Sequence, residues 1–203
     1  MYLPEKIKNL KKIEKSFSVP KFIYFKESGF RKRKNFILKK INKFFLNTVI
    51  VRSASFKEDN TVSNAGKYLS IPNIYPKDNL KLEIAINNVF KSYQSHSKRI
   101  DQYVLIQEYI NNADKVGVIF TVDPKNSAPF RTINFNDSND TSLITSGKSN
   151  GKIIYYFKDA KKIITKNNLK NIEKIIKNLE KIYPKQFLDI EFLIVKKKIK
   201  ILQ

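Results

Sequence analysis

Short runs rich in Val, Ile, Tyr and Phe alternate with helical patterns in both halves of this 203-residue chain. Such runs favour strands, whereas apolar residues repeated every three or four positions favour helices. The clearest helical pattern covers 167–183, and its apolar face consists of Leu169, Ile172, Ile175, Ile176, Leu179 and Ile182. Because both kinds of element recur along the chain, the sequence predicts a mixed α+β fold.

The remaining elements are predicted from the same patterns. Helices are expected at 4–15, 37–45 and 79–95, and strands at about 21–25, in TVIVRSA and in a closing hairpin of FLDIEFLIV and KIKILQ. GFRKRKNF and IPNIYPKDN are predicted breaks. The polar turn NNADK separates 102–110 from 116–124, so we expect two antiparallel strands there, in a sheet that TSLITSG and KIIYYFK extend.

The composition narrows the class of protein. A hydrophobic fraction of 41% with 12% aromatic residues indicates a folded globular chain. The absence of Cys excludes a disulfide framework, a thiolate metal site and a cysteine nucleophile. The start, MYLPEKIKNLKKIEK, has no apolar signal core, and no stretch approaches the roughly 18 apolar residues of a spanning helix. We therefore expect a cytoplasmic protein without a membrane partner.

The formal net charge of +22 suggests a polyanionic partner. However, only five of the 40 basic residues are Arg, which is the residue favoured for bidentate recognition of bases and phosphates. The lysines are spread along the whole chain, and no helix-turn-helix, zinc-finger or RNA-recognition signature is present. A lysine-rich surface is the preferred interpretation, and nucleic-acid binding is the alternative.

The closing hairpin contains two carboxylates in the sequence LDIEFLIV. Asp189 and Glu191 are two residues apart on a predicted strand, so both side chains leave the same face. The apolar residues Ile190, Phe192 and Ile194 point to the other face, toward a core. Mg²⁺ commonly takes one or two protein carboxylates and completes its octahedron with substrate phosphates and water. The pair is therefore a candidate metal site. A strand with its polar face in water explains the same residues equally simply.

A second candidate site follows the apolar run Val49-Ile50-Val51. There Arg52 leads into a polar, small-residue stretch whose hydroxyl, amide and backbone N–H groups suit an anion, and it includes Ser53, Ser55, Ser63, Asn64 and Gly66. Gly66 would allow a close approach of the backbone to a polyphosphate. An ordinary long turn after an edge strand is the alternative reading. His96, the only histidine, lies in the polar stretch QSHSKR, which is typical of a solvated residue.

Four segments in the same order resemble the ATP-binding domain of phosphoenolpyruvate synthase and pyruvate phosphate dikinase. RSASFKEDNTVSNAGKYLS resembles the family's arginine-led loop, with matches at Arg52, Ser53, Glu58, Asp59, Ser63, Ala65, Gly66 and Ser70. VLIQEYI and VGVIFTVDP resemble the Q-x-M-V and G-V-x-F-T-x-D-P signatures, and DIEFLIVKKKIKILQ resembles the closing segment. KIKNL followed by SVPKF resembles the family's start, although Pro4 and Glu5 stand where the family has two glycines.

The resemblance implies an ATP-grasp fold of two α+β lobes, with mixed or antiparallel sheets flanked by helices and nucleotide held between the lobes. The whole chain, 1–203, would form one such domain, with an N-terminal lobe at about 1–105 and a C-terminal lobe at about 106–203. The cofactors implied are ATP and Mg²⁺, and Asp189 and Glu191 would hold the metal. The nucleotide-binding residues implied are Lys6, Arg52, Ser53, Ser63, Gly66, Gln107, Tyr109, Ile110 and Gln203, of which Lys6 and Arg52 would be catalytic.

The activity implied is that of a phosphotransferase, which cleaves Mg-ATP to AMP and phosphate and passes a phosphoryl or pyrophosphoryl group to a histidine. The chain stops at ILQ without the family's phosphohistidine and acceptor domains, so we expect these in cis or on a partner chain, and little turnover by this chain alone. Pyruvate is the family's commonest acceptor. The family's G-L-G-E segment has no match in RTINFNDSNDTSLITSGK, which makes an amide metabolite such as glutamine, or another small metabolite, a plausible acceptor too. A polyanion-binding protein and a non-catalytic ATP-grasp scaffold are the alternatives.

Overall fold

The computed structural model describes residues 2–56, 69–94, 102–136, 151–166, 169–184 and 186–203. The chain divides into two compact units, Met1–Asn111 and Asn112–Gln203. The break between the units falls after Asn111, whereas the sequence placed the lobe boundary at about 105, inside a strand of the first unit.

The first unit is built on a four-stranded antiparallel sheet. Its helices are α1 (Glu5–Ile13), α2 (Glu27–Phe44) and α3 (Asn79–Gln94). Its strands are β1 (Phe22–Lys26), β2 (Val49–Ala54), β3 (Ser70–Ile74) and β4 (Tyr103–Glu108), in the spatial order β1-β4-β2-β3. The last strand in sequence therefore lies at the centre, paired with both β1 and β2.

Alternation along the strands gives this sheet two different apolar faces. Val49, Val51, Val104 and Ile106 point to one face and join the main core, to which α2 and α3 also contribute. The opposite face carries Ala54, Tyr103 and Leu105, which pack with Ile7 and Leu10 of α1 in a smaller cluster. The short helix α1 thus covers the second face of β2 and β4, and it brings the residues beside Ile7 to that face.

Two predicted breaks in the first unit are only partly present. The stretch GFRKRKNF belongs to α2, but the helix is kinked inside it at Arg33, where φ is −135° and ψ is 38°. Phe30 and Ile37 are buried in the core on either side of the kink, so both parts remain helical. Most of β3 lies in the second predicted break, IPNIYPKDN. Pro72 has no N–H to donate, and β3 tolerates it because this strand lies at the edge of the sheet and has a neighbour on one side only.

The described residues of the second unit form a five-stranded antiparallel sheet and two helices. The strands are β5 (Lys115–Phe120), β6 (Phe130–Asn136), β7 (Lys152–Phe157), β8 (Asp189–Val195) and β9 (Lys198–Ile201), in the order β7-β6-β5-β8-β9. The helices are α4 (Lys161–Lys166) and α5 (Lys170–Ile182). α5 confirms the predicted amphipathic helix, since Ile172, Ile176 and Leu179 are buried. The closing hairpin of β8 and β9 is also confirmed.

The predicted pairing of 102–110 with 116–124 is wrong. Both segments contain strands, but β4 belongs to the sheet of the first unit and β5 to that of the second. The polar turn between them joins two units instead of closing a hairpin, and apolar composition alone does not reveal the partner of a strand. β6, which the sequence did not predict, takes the place beside β5. The predicted strand TSLITSG lies outside the described residues.

Among the residues that the structure describes, none of the helices is long and apolar enough to cross a membrane.

Candidate functional site

Lys6 lies on α1, and its ammonium reaches the sheet of the first unit. Ile7 and Leu10 are completely buried against the face that carries Ala54 and Leu105, so α1 is fixed in its rotation. This orientation places the Lys6 Nζ 3.1 Å from the carbonyl oxygen of Ser53. A residue 47 positions earlier in the chain is thereby brought to the strand that carries Arg52.

Arg52 lies on β2 with only 8% of its surface exposed. In the register of β2 and β4, Ile50 lies opposite Gln107 and Arg52 opposite Leu105, so the side chains of Arg52 and Gln107 are diagonal neighbours on one face. The Arg52 guanidinium donates to Oε1 of Gln107 over 3.3 Å, and Gln107 is itself buried. The amide is neutral, so this hydrogen bond orients the guanidinium without cancelling its charge.

The other candidates of the first unit lie close to these three in the chain or outside the description. Ser53 is buried, and its N–H donates to the carbonyl oxygen of Leu69 over 3.2 Å. Tyr109 and Ile110 follow β4 and lie just before Asn111, the last residue of the first unit. The Tyr109 N–H donates to the Thr48 carbonyl oxygen over 2.8 Å. Ser63 and Gly66 of the arginine-led loop lie outside the described residues.

Asp189 and Glu191 lie on the same face of the second sheet. β8 pairs with β5 so that Asp189 lies opposite Phe120 and Glu191 opposite Val118, while Ile190 between them is buried on the other face. The pattern that the sequence predicted for this strand is therefore present. Ile194, which was expected in the core, is only half-buried.

The two carboxylates influence one another. Asp189 is exposed as a residue, yet the desolvation of its carboxyl, together with the negative charge of Glu191, raises the pKa of Asp189 to about 6 from its ordinary value of 3.8. A bound cation would favour the ionised form of Asp189, because the cation offsets both the desolvation of this carboxyl and its repulsion by Glu191.

The backbone of Gln203 is hydrogen-bonded to that of Glu191. The Leu202 N–H donates to the Glu191 carbonyl oxygen over 2.8 Å, and the Glu191 N–H donates to the Gln203 carbonyl oxygen over 3.2 Å. The hairpin register therefore places Gln203 beside Glu191, although the two residues are 12 positions apart in sequence.

Strand pairing adds neighbours to the carboxylate face that the sequence did not single out. One row across the sheet runs from Asp189 through Phe120 and Thr132 to Tyr155, and the next row runs from Glu191 through Val118 and Asn134 to Ile153. Tyr155 stacks on Phe130 with ring centroids 5.0 Å apart, and its hydroxyl donates to Asp123. Only the registers of four strands reveal this face, which combines carboxylates with aromatic and amide side chains.

The carboxylate pair fits Mg²⁺ in number and chemistry. Carboxylate oxygens are hard ligands of the kind that Mg²⁺ prefers, and two carboxylates leave coordination positions of its octahedron for phosphate oxygens and water. Among the described residues there is no group of three or more acidic or histidine side chains that would hold an ion by itself. Mg²⁺ at Asp189 and Glu191 would therefore need a ligand that brings its own oxygens.

No family model and no curated protein matches this chain. Solved structures do match. A D-alanine-D-alanine ligase from Helicobacter pylori is 15% identical over 98% of this chain and 52% of its own, with a TM-score of 0.50. PH1788 from Pyrococcus horikoshii Ot3 is also 15% identical, over 99% of this chain and 88% of its own, with a TM-score of 0.54. This chain thus spans about half the length of the ligase.

At this level of identity the similarity concerns the fold. The chain has a mixed α+β fold with two antiparallel sheets flanked by helices, and its similarity to the D-alanine-D-alanine ligase fits the predicted ATP-grasp fold. The predicted fold class is confirmed.

Proposed function

We propose that this chain binds Mg-ATP and serves as the nucleotide-binding domain of a phosphotransferase similar to phosphoenolpyruvate synthase. The ATP-grasp fold supports nucleotide binding in general, and the segments that resemble the phosphoenolpyruvate synthase family support the more specific assignment.

One observation carries the proposal. Lys6, Arg52 and Gln107 come from three separate segments of the sequence, and the resemblance assigns all three to nucleotide binding. In the first unit they meet on a single face of β2 and β4, joined by the contacts of Lys6 with Ser53 and of Arg52 with Gln107. A chance similarity of short motifs would give no reason for these residues to be neighbours.

The chemistry of phosphoryl transfer matches these groups. The β- and γ-phosphates of ATP carry negative charge that must be neutralised as the bond to the transferred group breaks. The ammonium of Lys6 and the guanidinium of Arg52 would neutralise it from the first unit. Because Arg52 is buried and held by Gln107, it needs little reorganisation to bind an anion.

The second unit would contribute the metal ligands. Asp189 and Glu191 would hold Mg²⁺, which when bound polarises phosphate oxygens and neutralises part of their charge. The backbone contact with Glu191 would keep Gln203 beside the ion. The remaining predicted residues would surround the nucleotide: Ser53, Ser63 and Gly66 at the phosphates, and Tyr109 and Ile110 at the adenine.

The group that leaves ATP would pass to a histidine outside the residues assigned here. In the proposed reaction ATP, water and a small molecule such as pyruvate or glutamine yield AMP, phosphate and the phosphorylated small molecule. A phosphoryl or pyrophosphoryl group is carried by histidine on a separate domain, and water takes up the phosphoryl group that is released as phosphate. The phosphohistidine and acceptor domains would lie in cis or on a partner chain. This chain alone would bind Mg-ATP and show little turnover.

Calorimetric titration with a non-hydrolysable ATP analogue, with and without Mg²⁺ and at two salt concentrations, tests the proposal. We expect Mg²⁺-dependent binding that Arg52→Ala and the double variant Asp189→Asn/Glu191→Gln each weaken at least tenfold. Loss of one charge-assisted hydrogen bond costs about 1.5–3 kcal/mol, which corresponds to a factor of ten or more.

Arg31→Ala and Glu14→Gln are matched controls, because each removes the same kind of charge from an exposed position. Both should bind the analogue as the wild type does. Mg²⁺-independent binding that DNA competes away equally well would contradict the proposal and favour a polyanion-binding protein. No binding at all by a folded chain would favour a non-catalytic scaffold.

A further inference from the structure

A groove in the second unit has no role in the proposed nucleotide site. It has a volume of about 520 Å³ and lies between α4 and α5. Its lining includes five lysines, namely Lys161 from α4 and Lys170, Lys174, Lys177 and Lys181 from α5, together with one acidic residue, Glu173. All five side chains are exposed, and within the described part of the chain none forms an ion pair.

The four lysines of α5 form a continuous stripe. Their spacing of four, three and four residues keeps them on one side of the helix, and at 1.5 Å per residue the stripe is about 16 Å long. Like charges at such spacings repel one another and destabilise a helix. A lysine-rich composition explains many exposed lysines, but it does not require that they be aligned along a groove.

The acidic residues of α5 do not neutralise the stripe. Glu173, only 5% exposed, accepts a hydrogen bond from the Tyr156 hydroxyl and lies 3.5 Å from the Arg131 guanidinium. Glu180 accepts from the same guanidinium over 3.2 Å and also pairs with Lys158. Both carboxylates of the helix are thus held on the sheet side by Arg131.

Two lysines of other helices do pair with carboxylates. In α1, Lys8 pairs with Glu5, and in α2, Lys34 pairs with Glu83 of α3. On α5 the acidic residues are turned inward and the lysines outward, so the charge of the stripe remains available to a ligand.

We propose that the lysine-lined groove between α4 and α5 binds a linear chain of phosphate groups, and that its ammonium groups recognise the negative charge of the phosphates. Neighbouring lysines on a helix face lie about 5–6 Å apart at Cβ, which allows flexible ammonium groups to follow successive phosphates. Among the residues that the structure describes, no aromatic side chain lines the groove, whereas base recognition on single strands uses aromatic stacking. The contacts therefore read charge and not sequence, and a single-stranded nucleic acid and inorganic polyphosphate both present the required chemistry.

Fluorescence anisotropy of the full chain with a labelled oligothymidylate, over a series of salt concentrations, tests this inference. The variant Lys170→Gln/Lys174→Gln/Lys177→Gln/Lys181→Gln removes the stripe while retaining good helix formers. Since single strands give a slope of about −0.7 per phosphate contact, losing four contacts should reduce the slope of log K against log salt by about 3.

The matched control is Lys32→Gln/Lys39→Gln/Lys40→Gln/Lys43→Gln, which removes the same charge from exposed positions of α2. It should leave the slope nearly unchanged. If both quadruple variants lose the same slope, binding reflects net charge and the inference is wrong. Circular dichroism verifies that both variants remain folded.

Two competitors identify the ligand. Inorganic polyphosphate that displaces the oligothymidylate from the wild type, but binds the stripe variant weakly, supports the groove as a general phosphate-chain site. Displacement by the oligonucleotide alone restricts the site to nucleic acid. Poly-L-glutamate that competes as well as either one overturns the phosphate assignment. Mg-ATP binding by the stripe variant, measured separately, should equal that of the wild type.

Discussion

At the scale of single residues, Gly117 is required by space. It lies in the centre of β5, and a Cβ added there would be 2.6 Å from the carbonyl oxygen of Asn134 and 2.7 Å from the ring of Phe192. The first contact is with backbone, so the strand pair itself must shift. Gly29 in α2 has nothing within 4 Å of its added Cβ.

We therefore predict opposite effects of the same substitution at these two glycines. Gly117→Ala should lower the free energy of unfolding by about 1–3 kcal/mol, as overpacking does. Gly29→Ala should raise it by up to about 1 kcal/mol, because Ala is the better helix former. Urea denaturation of both variants provides the measurement. Equal effects at both positions would show that Gly117 does not lie between Asn134 and Phe192.

Asp189 gives the protein a pH-dependent stability of unusual sign. The folded state raises its pKa from 3.8 to about 6 through desolvation of the carboxyl and then through the charge of Glu191. Between these two values the folded state binds more protons than the unfolded state, so the free energy of unfolding falls as pH rises through this window. The destabilisation is complete only well above pH 6.

The variant Asp189→Asn should remove this effect. Without divalent cations, its stability relative to the wild type should increase from near pH 3.8 to above pH 6 in urea denaturation. Glu191→Gln, which removes the second cause, should shift the Asp189 titration, followed by NMR of the side-chain carboxyl, toward lower pH without restoring the ordinary value. A stability difference that does not vary with pH contradicts the assignment.

At the scale of secondary-structure elements, Arg131 ties α5 to the second sheet. Its guanidinium is completely buried on β6 and contacts both Glu173 and Glu180. Tyr156 of β7 lies opposite Arg131 and donates to Glu173, and burial together with this hydrogen bond raises the pKa of Tyr156. Two strands and one helix thus share a single buried polar network, which neither the helical periodicity nor the strand composition predicted.

Breaking this network from one side should be costly. Arg131→Met leaves the buried Glu173 without its cation and should lower the free energy of unfolding by about 3–5 kcal/mol. Arg131→Met/Glu173→Gln removes both charges but keeps an acceptor for Tyr156, so it should recover more than half of that loss. Lys34→Met, at the exposed pair with Glu83, should cost at most about 1 kcal/mol. A double variant no more stable than Arg131→Met contradicts the pairing in a double-mutant cycle.

At the scale of the whole molecule, the basic residues behind the net charge of +22 differ in whether a carboxylate pairs with them. Several basic residues pair with carboxylates, as Arg31 does with Glu27, and Arg131 is buried. The lysines of α5 lack such partners within the described part of the chain. The total charge therefore says little about a partner, and the lysines of α5 are distinguished by their alignment along a groove.

The two units share an architecture but carry different candidate residues. Each unit is an antiparallel sheet flanked by helices, but the first carries the basic candidates and the second the carboxylate pair. The D-alanine-D-alanine ligase and PH1788 extend along nearly all of this chain at 15% identity. Similarity at this level concerns the fold, so the roles of individual side chains are argued from this chain's own residues.

The sequence alone determined the local structure and the chemistry of the candidates. Period-two and period-3.6 patterns depend on neighbours in the chain, so α1, α3, α5 and the closing hairpin were predicted from them. The alternation in β8 likewise put Asp189 and Glu191 on one face before any partner strand was known. The motif resemblance selected Lys6, Arg52 and Gln107.

Only the tertiary structure decided which elements are neighbours. The assignment of β4 and β5 to different sheets, the continuation of α2 through its basic stretch and the inward turn of Glu173 all depend on burial and register, which bring together residues distant in sequence. Many apolar strands are acceptable partners on composition alone, and packing selects among them through contacts that no local pattern encodes. For the same reason, the contact between Lys6 and Ser53 and the groove of α4 and α5 became visible only in the folded chain.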